Sequence, residues 1–318
     1  MNDRQIDPEQ QNITGIIPIP PPGFRSGFIS IIGRPNVGKS TIMNQLIGQK
    51  IAITSPVAQT TRNRLRGILT NDKAQLIFID TPGIHKPHHE LGKVLVTNAR
   101  EAIAFADAIL FVVDSSTPAG GGDRFIVNLL EKIDIPIILG LNKCDRQTTK
   151  NVRELDESYT QFAIANNWPA IKFSALSKQG LKTLLDSLIE RLETGPYYYP
   201  PDLVTDKPER FIMGELIREQ ILLHTKAEIP HSVAIVIEKI EETPKITRVF
   251  ASIVVERNSQ KGILIGKKGN MLKEIGTKSR QQIQKLIDGQ VYLELFVKVQ
   301  PKWRQSRGRL AEFGYKPE

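Results

Sequence analysis

Gly33-Arg34-Pro35-Asn36-Val37-Gly38-Lys39-Ser40 matches the spacing G-x-x-x-x-G-K-[ST] at every position, and it decides the fold of the first half of the chain. Glycines let backbone N–H groups close around phosphate oxygens. The lysine reaches the β- and γ-phosphates, and the Ser40 hydroxyl faces a bound Mg²⁺. The flanks suit the motif. Phe28-Ile29-Ser30-Ile31-Ile32 reads as a buried strand running into the loop, and Thr41 opens a helical stretch, 41–46, at whose N-terminus the phosphates sit. Gly33 through Thr41 are therefore expected to line a nucleotide.

Three further motifs follow in order. Asp80-Thr81-Pro82-Gly83 comes after the apolar run Leu76-Ile77-Phe78-Ile79. An Asp at the end of a second strand is where a nucleotide enzyme holds Mg²⁺, and Gly83 can place its N–H on the γ-phosphate. Asn142-Lys143-Cys144-Asp145 comes after Ile137-Ile138-Leu139-Gly140-Leu141. A carboxylate at Asp145 can accept from both N1–H and the 2-amino group of guanine; adenine lacks those donors, which leaves the carboxylate unpaired. Ser174-Ala175-Leu176, after Ala170-Ile171-Lys172-Phe173, can close over the base edge. Each motif falls at the C-terminal end of an expected strand, the edge where open α/β sheets bind ligands. The spacing predicts a guanine nucleotide. Cys144 is expected to serve packing.

At 318 residues the chain is about two domains long by the usual ~100–200 residues per domain. It is 40% apolar and 24% charged, with no run near the ~18–20 apolar residues of a membrane span. One cysteine excludes an internal disulfide framework and suits a reducing compartment. Residues 1–25 are polar and then proline-rich, unlike a signal peptide, and read as an extended or disordered tail. The formal net charge of +9 is uneven: residues 256–318 hold 14 Lys and Arg against 6 Asp and Glu. Such a patch attracts polyanions, either nucleic acid or an acidic membrane surface.

The α/β rhythm of 26–194 breaks at Gly195-Pro196-Tyr197-Tyr198-Tyr199-Pro200-Pro201, which opens a linker expected over 195–208. Beyond it, Glu209–Leu223 suits a helix, Ser232–Ile240 and Ile246–Glu256 alternate like strands, and Val291–Val297 reads as a last strand. Between them stands Gly266-Lys267-Lys268-Gly269, preceded by Ile263-Leu264-Ile265 and followed by a long helix. A Gly-x-x-Gly loop between helices is the signature of a KH domain, which clamps about four single-stranded nucleotides. The order helix, two strands, helix pair, strand fits type II KH over 209–301. In the basic tail, 302–318, Lys302, Trp303 and Arg304 either hold phosphates and stack a base, or Trp303 folds against the domain.

These motifs together, with Gln59-Thr60-Thr61-Arg62 between the P-loop and Asp80, make the chain resemble the bacterial Era GTPases over about residues 26–315. The resemblance implies an α/β P-loop GTPase domain, mostly parallel with helices on both sheet faces, followed by an α+β type II KH domain. It implies slow hydrolysis of GTP to GDP with Lys39, Ser40, Thr61 and Gly83 at the phosphates, and Mg²⁺ held by Ser40, Thr61 and Asp80. Thr61 is preferred to Thr60 because it precedes Arg62, as in related GTPases with a Thr-Arg pair. Asn36 resembles the asparagine that holds an activating K⁺ in some relatives. The implied partners are single-stranded sequence near the 3′ end of small-subunit ribosomal RNA and the small ribosomal subunit itself. Gly266, Lys267, Lys268, Gly269, Lys302, Trp303 and Arg304 would touch the RNA. A monomer in the cytoplasm is expected, with some peripheral contact at the inner face of the cytoplasmic membrane.

Three readings compete. In the first, GTP orders the Thr61 and Gly83 segments and the KH domain gains or loses RNA. In the second, the protein is an RNA-binding module with a structural nucleotide. Ile84, standing where Ras-like enzymes carry the water-orienting glutamine, leans toward it. The third is a membrane-surface GTPase, which needs charge but no backbone clamp. His85, His88 and His89 lack the spacing of a metal site.

Overall fold

The computed structural model describes residues 17–55, 65–81, 83, 102–148, 150–226 and 228–313. Expectations for Thr61, Pro82, Ile84 and the three histidines of 85–89 lie outside them. The described residues divide into two compact units. One runs to Ala52 and resumes at 65 through Asp206; the other takes residues 53–55 and everything from Lys207.

In the first unit, apolar runs become strands: β1 Arg25–Ile32, β2 Leu65–Thr70, β3 Ala74–Asp80, β4 Ala108–Asp114, β5 Ile137–Asn142 and β6 Ala170–Lys172. They form one sheet in the order β2-β3-β1-β4-β5-β6. Only β2 runs antiparallel, against β3; the other pairings are parallel. Strands β3 and β5 are buried along their whole length. That is why they read as continuous apolar runs instead of alternating ones. Among its helices are α1 Lys39–Ile47, α2 Gly121–Leu130, α3 Val152–Asn166 and α4 Leu181–Ile189. A core cluster joins Phe111, Val113 and Leu139 of the sheet to Ile126 and Leu130 of α2 and Tyr159 of α3. Glycine shapes the sheet beside the P-loop helix: a Cβ at Gly67 in β2 would fall 2.3 Å from Ile47 and 3.0 Å from Met43 of α1. Its absence lets the P-loop helix lie close.

The tail expected over 1–25 ends early among the described residues. Phe24 is buried and packs on Tyr197, and β1 begins at Arg25. The three tyrosines also stay with this unit: Tyr198 lies against Phe28, and the Tyr199 carbonyl accepts from Gln75 Nε2 at 2.9 Å.

The second unit contains α5 Glu209–His224, the short α6 Ile229–Ser232, β7 Ala234–Glu242, β8 Ile246–Val255, α7 Asn258–Ile265, α8 Asn270–Ile283, β9 Gln290–Val299 and α9 Arg307–Glu312. Its sheet is ordered β7-β8-β9, with β7 antiparallel and β9 parallel to β8. Thr54 donates its N–H at 2.8 Å to the buried Glu219 carboxylate of α5.

The 302–318 segment is corrected most. Trp303 is 2% exposed, packs with Ala234, Val254 and Phe313, and donates its indole N–H to the Ser232 carbonyl at 3.2 Å. An indole with an apolar body and one satisfied donor gains more from the core than from water. The end of the chain to Phe313 is therefore part of the folded unit. Trp303→Ala should lower its stability by about 3–5 kcal/mol, read as a lower urea midpoint; an unchanged midpoint would show that the indole is not structural.

Candidate functional site

Every strand of the first unit that carries an expected site residue delivers it at its C-terminal end. β1 runs into Gly33, β3 ends on Asp80, β5 ends on Asn142, and Ser174 follows β6. The P-loop turns sharply. Gly38 sits at φ +102°, left-handed space that glycine enters freely, and Asn36 sits at φ +63°. A Cβ at Gly33 would lie 2.3 Å from the Val112 carbonyl. Among the described residues no side chain caps α1, which starts directly after Gly38. The N-terminus of a helix suits an anion, since its first N–H groups lack intrahelical acceptors.

Lys39 is buried, and its ammonium donates to the Gly33 and Arg34 carbonyls at 3.1 and 2.9 Å. Burial lowers its pKa to about 8, against the opposing pull of the Asp80 charge. The lysine thus rests on the carbonyls of its own loop, in reach of a phosphate that would replace them. Ser40 donates from Oγ to Asp80 Oδ2 at 2.7 Å. A hydroxyl and a carboxylate side by side are hard oxygen donors, and the pair suits Mg²⁺. Gly83 is so close to the P-loop that a Cβ there would meet Pro35 backbone at 2.6 Å. The Thr81 hydroxyl donates inward to the Ile31 carbonyl at 2.7 Å. It ties β3 to β1 and leaves only main chain for a ligand.

Asn142 organises the other half. Its Nδ2 donates to the Val37 carbonyl at 2.7 Å, and its Oδ1 accepts the N–H groups of Lys143 and Ala175 at 2.8 and 2.9 Å. One buried amide therefore joins three of the four motifs. Lys143, at φ +68°, donates to the Asn36 carbonyl at 2.7 Å and pairs with Asp114 at 2.5 Å. Burial pushes the Asp114 carboxyl up, but the hydrogen bonds from Lys143 and Ser116 outweigh it and hold the group below its usual range. Asp145 stands exposed on the short turn Cys144–Arg146, open to a base. Burial, then the Asp145 charge, raises the neighbouring Cys144 thiol, consistent with an inert packing role. Ser174 closes its own turn by accepting from Ser177 N–H at 3.0 Å, while Leu176 is 69% exposed.

Asp114 was missed from the sequence. The signal was present: the apolar run Ile109–Val113 ends in an acid, and β4 sets Asp114 directly opposite Asn142.

In the second unit, the Gly266–Gly269 loop joins α7 to α8. Gly266, Lys268 and Gly269 all have positive φ, at +71°, +53° and +79°. A Cβ at Gly266 would press on Met271 at 2.7 Å, whereas nothing lies within 4 Å of one at Gly269. Gly269 therefore faces open space. Beside it runs a groove of ≈ 410 Å³ lined by Leu272, Lys273, Gly276, Arg280 and Leu295 among others. Lys302 is exposed, but Arg304 pairs with Glu256, its Nε at 3.1 Å, so it is not a free phosphate ligand. With Trp303 buried, the expected interleaved surface of 302–304 is absent.

Comparison with known proteins covers both units. The family described as "50S ribosome-binding GTPase" matches residues 28–143, and "KH domain" matches 228–304. The chain is 72% identical over 302 residues to the GTPase Era of Rippkaea orientalis, spanning 95% of this chain and 96% of that protein. It is 70% identical to that of Crocosphaera subtropica with the same coverage. Among solved structures, Era in complex with MgGDPNP and nucleotides 1506–1542 of 16S ribosomal RNA is similar at 35% identity and a TM-score of 0.85. That match spans 92% of this chain and all of the other. A variant of Aquifex aeolicus Era bound to GDP and AlF4⁻ is similar at 36% identity, with the same TM-score and coverage.

Because one amide bridges three loops, Asn142→Ala should cost the first unit about 2–4 kcal/mol of stability, the sum of lost and unsatisfied hydrogen bonds. Urea denaturation reads it; a loss below about 0.5 kcal/mol would mean the loops hold each other without it.

Proposed function

The chain belongs to the Era family of GTPases, and from that premise we propose how its residues divide the work: residues 26–194 bind and hydrolyse GTP, and 209–301 with the folded part of 302–318 bind single-stranded ribosomal RNA. The observation that carries the reading is the meeting of P-loop, Ser40–Asp80 pair and Asn142–Asp145 turn at one sheet edge. In this account Lys39 leaves its loop carbonyls for the β- and γ-phosphates, joined by the N–H groups at the start of α1. Ser40 and Asp80 hold Mg²⁺, with Thr61 as a further ligand when GTP is present; the metal supplies charge neutralisation at the phosphates. Gly83 gives its N–H to the γ-phosphate. Asp145 reads guanine, and the Ala175 and Leu176 segment covers the base edge. Asn36 is proposed as the ligand of an activating K⁺.

The RNA side rests on the open space at Gly269, the two lysines within the loop and the adjoining groove. By analogy with the complex of Era and 16S ribosomal RNA, the ligand is the 3′ region of small-subunit RNA and the setting is small-subunit assembly in the cytoplasm. Peripheral contact with an anionic membrane would draw on the same basic surface. No helix among the described residues is long and apolar enough to cross one.

Two measurements test the division. Asp145→Asn should cost about 2–3 kcal/mol of GTP affinity and relax discrimination against XTP, because the amide presents a donor where guanine has one. Unchanged preference in equilibrium binding removes Asp145 from the base pocket.

Gly269→Asp places a side chain and a negative charge where a phosphate must sit, on backbone at φ +79°. Affinity for a labelled single-stranded RNA should fall by several kcal/mol, while GTP binding stays intact. Replacing Lys267 and Lys268 by Gln should reduce the slope of log K against log salt by ~0.7 for each lost contact. If Gly269→Asp binds RNA like the parent, the loop is not the clamp.

A further inference from the structure

The P-loop is gripped at its far end by Asn142 on the Val37 carbonyl and Lys143 on the Asn36 carbonyl. Its near end has a different anchor. Arg34 Nε donates to Asp123 Oδ1 at 2.8 Å, and Asp123, in the first turn of α2, is wholly buried. The other carboxylate oxygen, Oδ2, accepts the Gly120 N–H at 2.9 Å, so both oxygens are held and the carboxylate cannot swing. Gly122 makes room: a Cβ there would stand 2.7 Å from Arg34 Cδ. The main chain of the same Arg34 carries one of the two carbonyls on which the Lys39 ammonium rests.

We propose that Asp123 is a positioning residue for GTP hydrolysis, acting through Arg34 to fix the near end of the phosphate loop. For stability alone, a buried ion pair is often no better than a packed apolar pair. What a carboxylate clamped at both oxygens adds is direction. It sets where Arg34 lies, and hence where Gly33, Arg34 and Lys39 stand relative to the phosphates. Transfer of a phosphoryl group depends almost wholly on such positioning and on charge placed in advance. Asp123 touches neither nucleotide nor metal in this account; its influence runs along the loop. The inference rests on the nucleotide reading of the P-loop.

The test uses the full chain with Mg²⁺ and compares the parent with Asp123→Asn, Arg34→Ala and the double variant. Steady-state kinetics give kcat and KM for GTP, and thermal melts monitor folding. Each single change should lower kcat roughly ten- to hundredfold. Because both break one linkage, the double variant should be no slower than the slower single. Preference for GTP over XTP, set at the other end of the site, should not move. Arg34 lies at the surface end of the pair, so Arg34→Ala reports even if Asp123→Asn fails to fold. Parental kcat in Arg34→Ala overturns the clamp, as does multiplication of the two losses in the double variant, or a loss that follows the fraction unfolded. A parent chain inert toward GTP overturns the nucleotide reading and the clamp with it; an active parent with unaffected variants overturns the clamp alone.

Discussion

A single buried amide holds the nucleotide edge together. Asn142 gives one hydrogen to the P-loop at Val37 and takes one each from Lys143 and Ala175, so three loops far apart in sequence meet at one side chain. The geometry forces other choices. Asn142 Nδ2 lies 2.3 Å from where a Cβ on Gly38 would be, so the P-loop must carry glycine there for reasons of space as well as of its left-handed backbone. A side chain at Gly38 would push away the group that fixes the loop. The glycine before the lysine serves both the phosphate and the hub.

Other polar groups at this edge also pair within the protein. Lys39 sits on loop carbonyls, Ser40 on Asp80, and Lys143 on Asn36 and Asp114. Buried polar atoms that find partners within the protein are not left with the full cost of desolvation. In the proposed account a phosphate would take the place of the carbonyls at Lys39, and Mg²⁺ would sit against the Ser40 and Asp80 oxygens. Asp145 is exposed, and in the proposed account a guanine edge would supply both its donors.

The second unit solves a different problem, presenting backbone to a polyanion without losing shape. Its loop spends three positive-φ residues to turn α7 into α8, and Gly269 opens onto empty space. The indole of Trp303 is sealed against Ala234 and Val254, which stand opposite each other on β7 and β8. A basic stretch that looks like a solvated arm in sequence is thereby divided. One aromatic belongs to the core, one arginine is neutralised by Glu256, and the lysines of the loop keep the solvent.

Local sequence was enough for whatever depends on short range. The P-loop glycines, the apolar runs that became β1, β3 and β5, and the Gly-x-x-Gly turn are each set by backbone freedom or burial over fewer than a dozen residues. Order along the chain, with every motif at a strand end, was enough to place them on one edge, because parallel strands in a single sheet leave little choice. What sequence could not carry were pairings between distant residues that have no spacing rule. Asp114 opposite Asn142, Asp123 beneath Arg34, Thr81 turned inward to Ile31 and Trp303 folded under Phe313 all join residues dozens of positions apart or decide which way a side chain faces. The same tryptophan among arginines suits a base-stacking surface or a core anchor. Only the tertiary structure settles that, because the gain from burying an indole depends on whether an apolar pocket and one carbonyl stand ready to receive it.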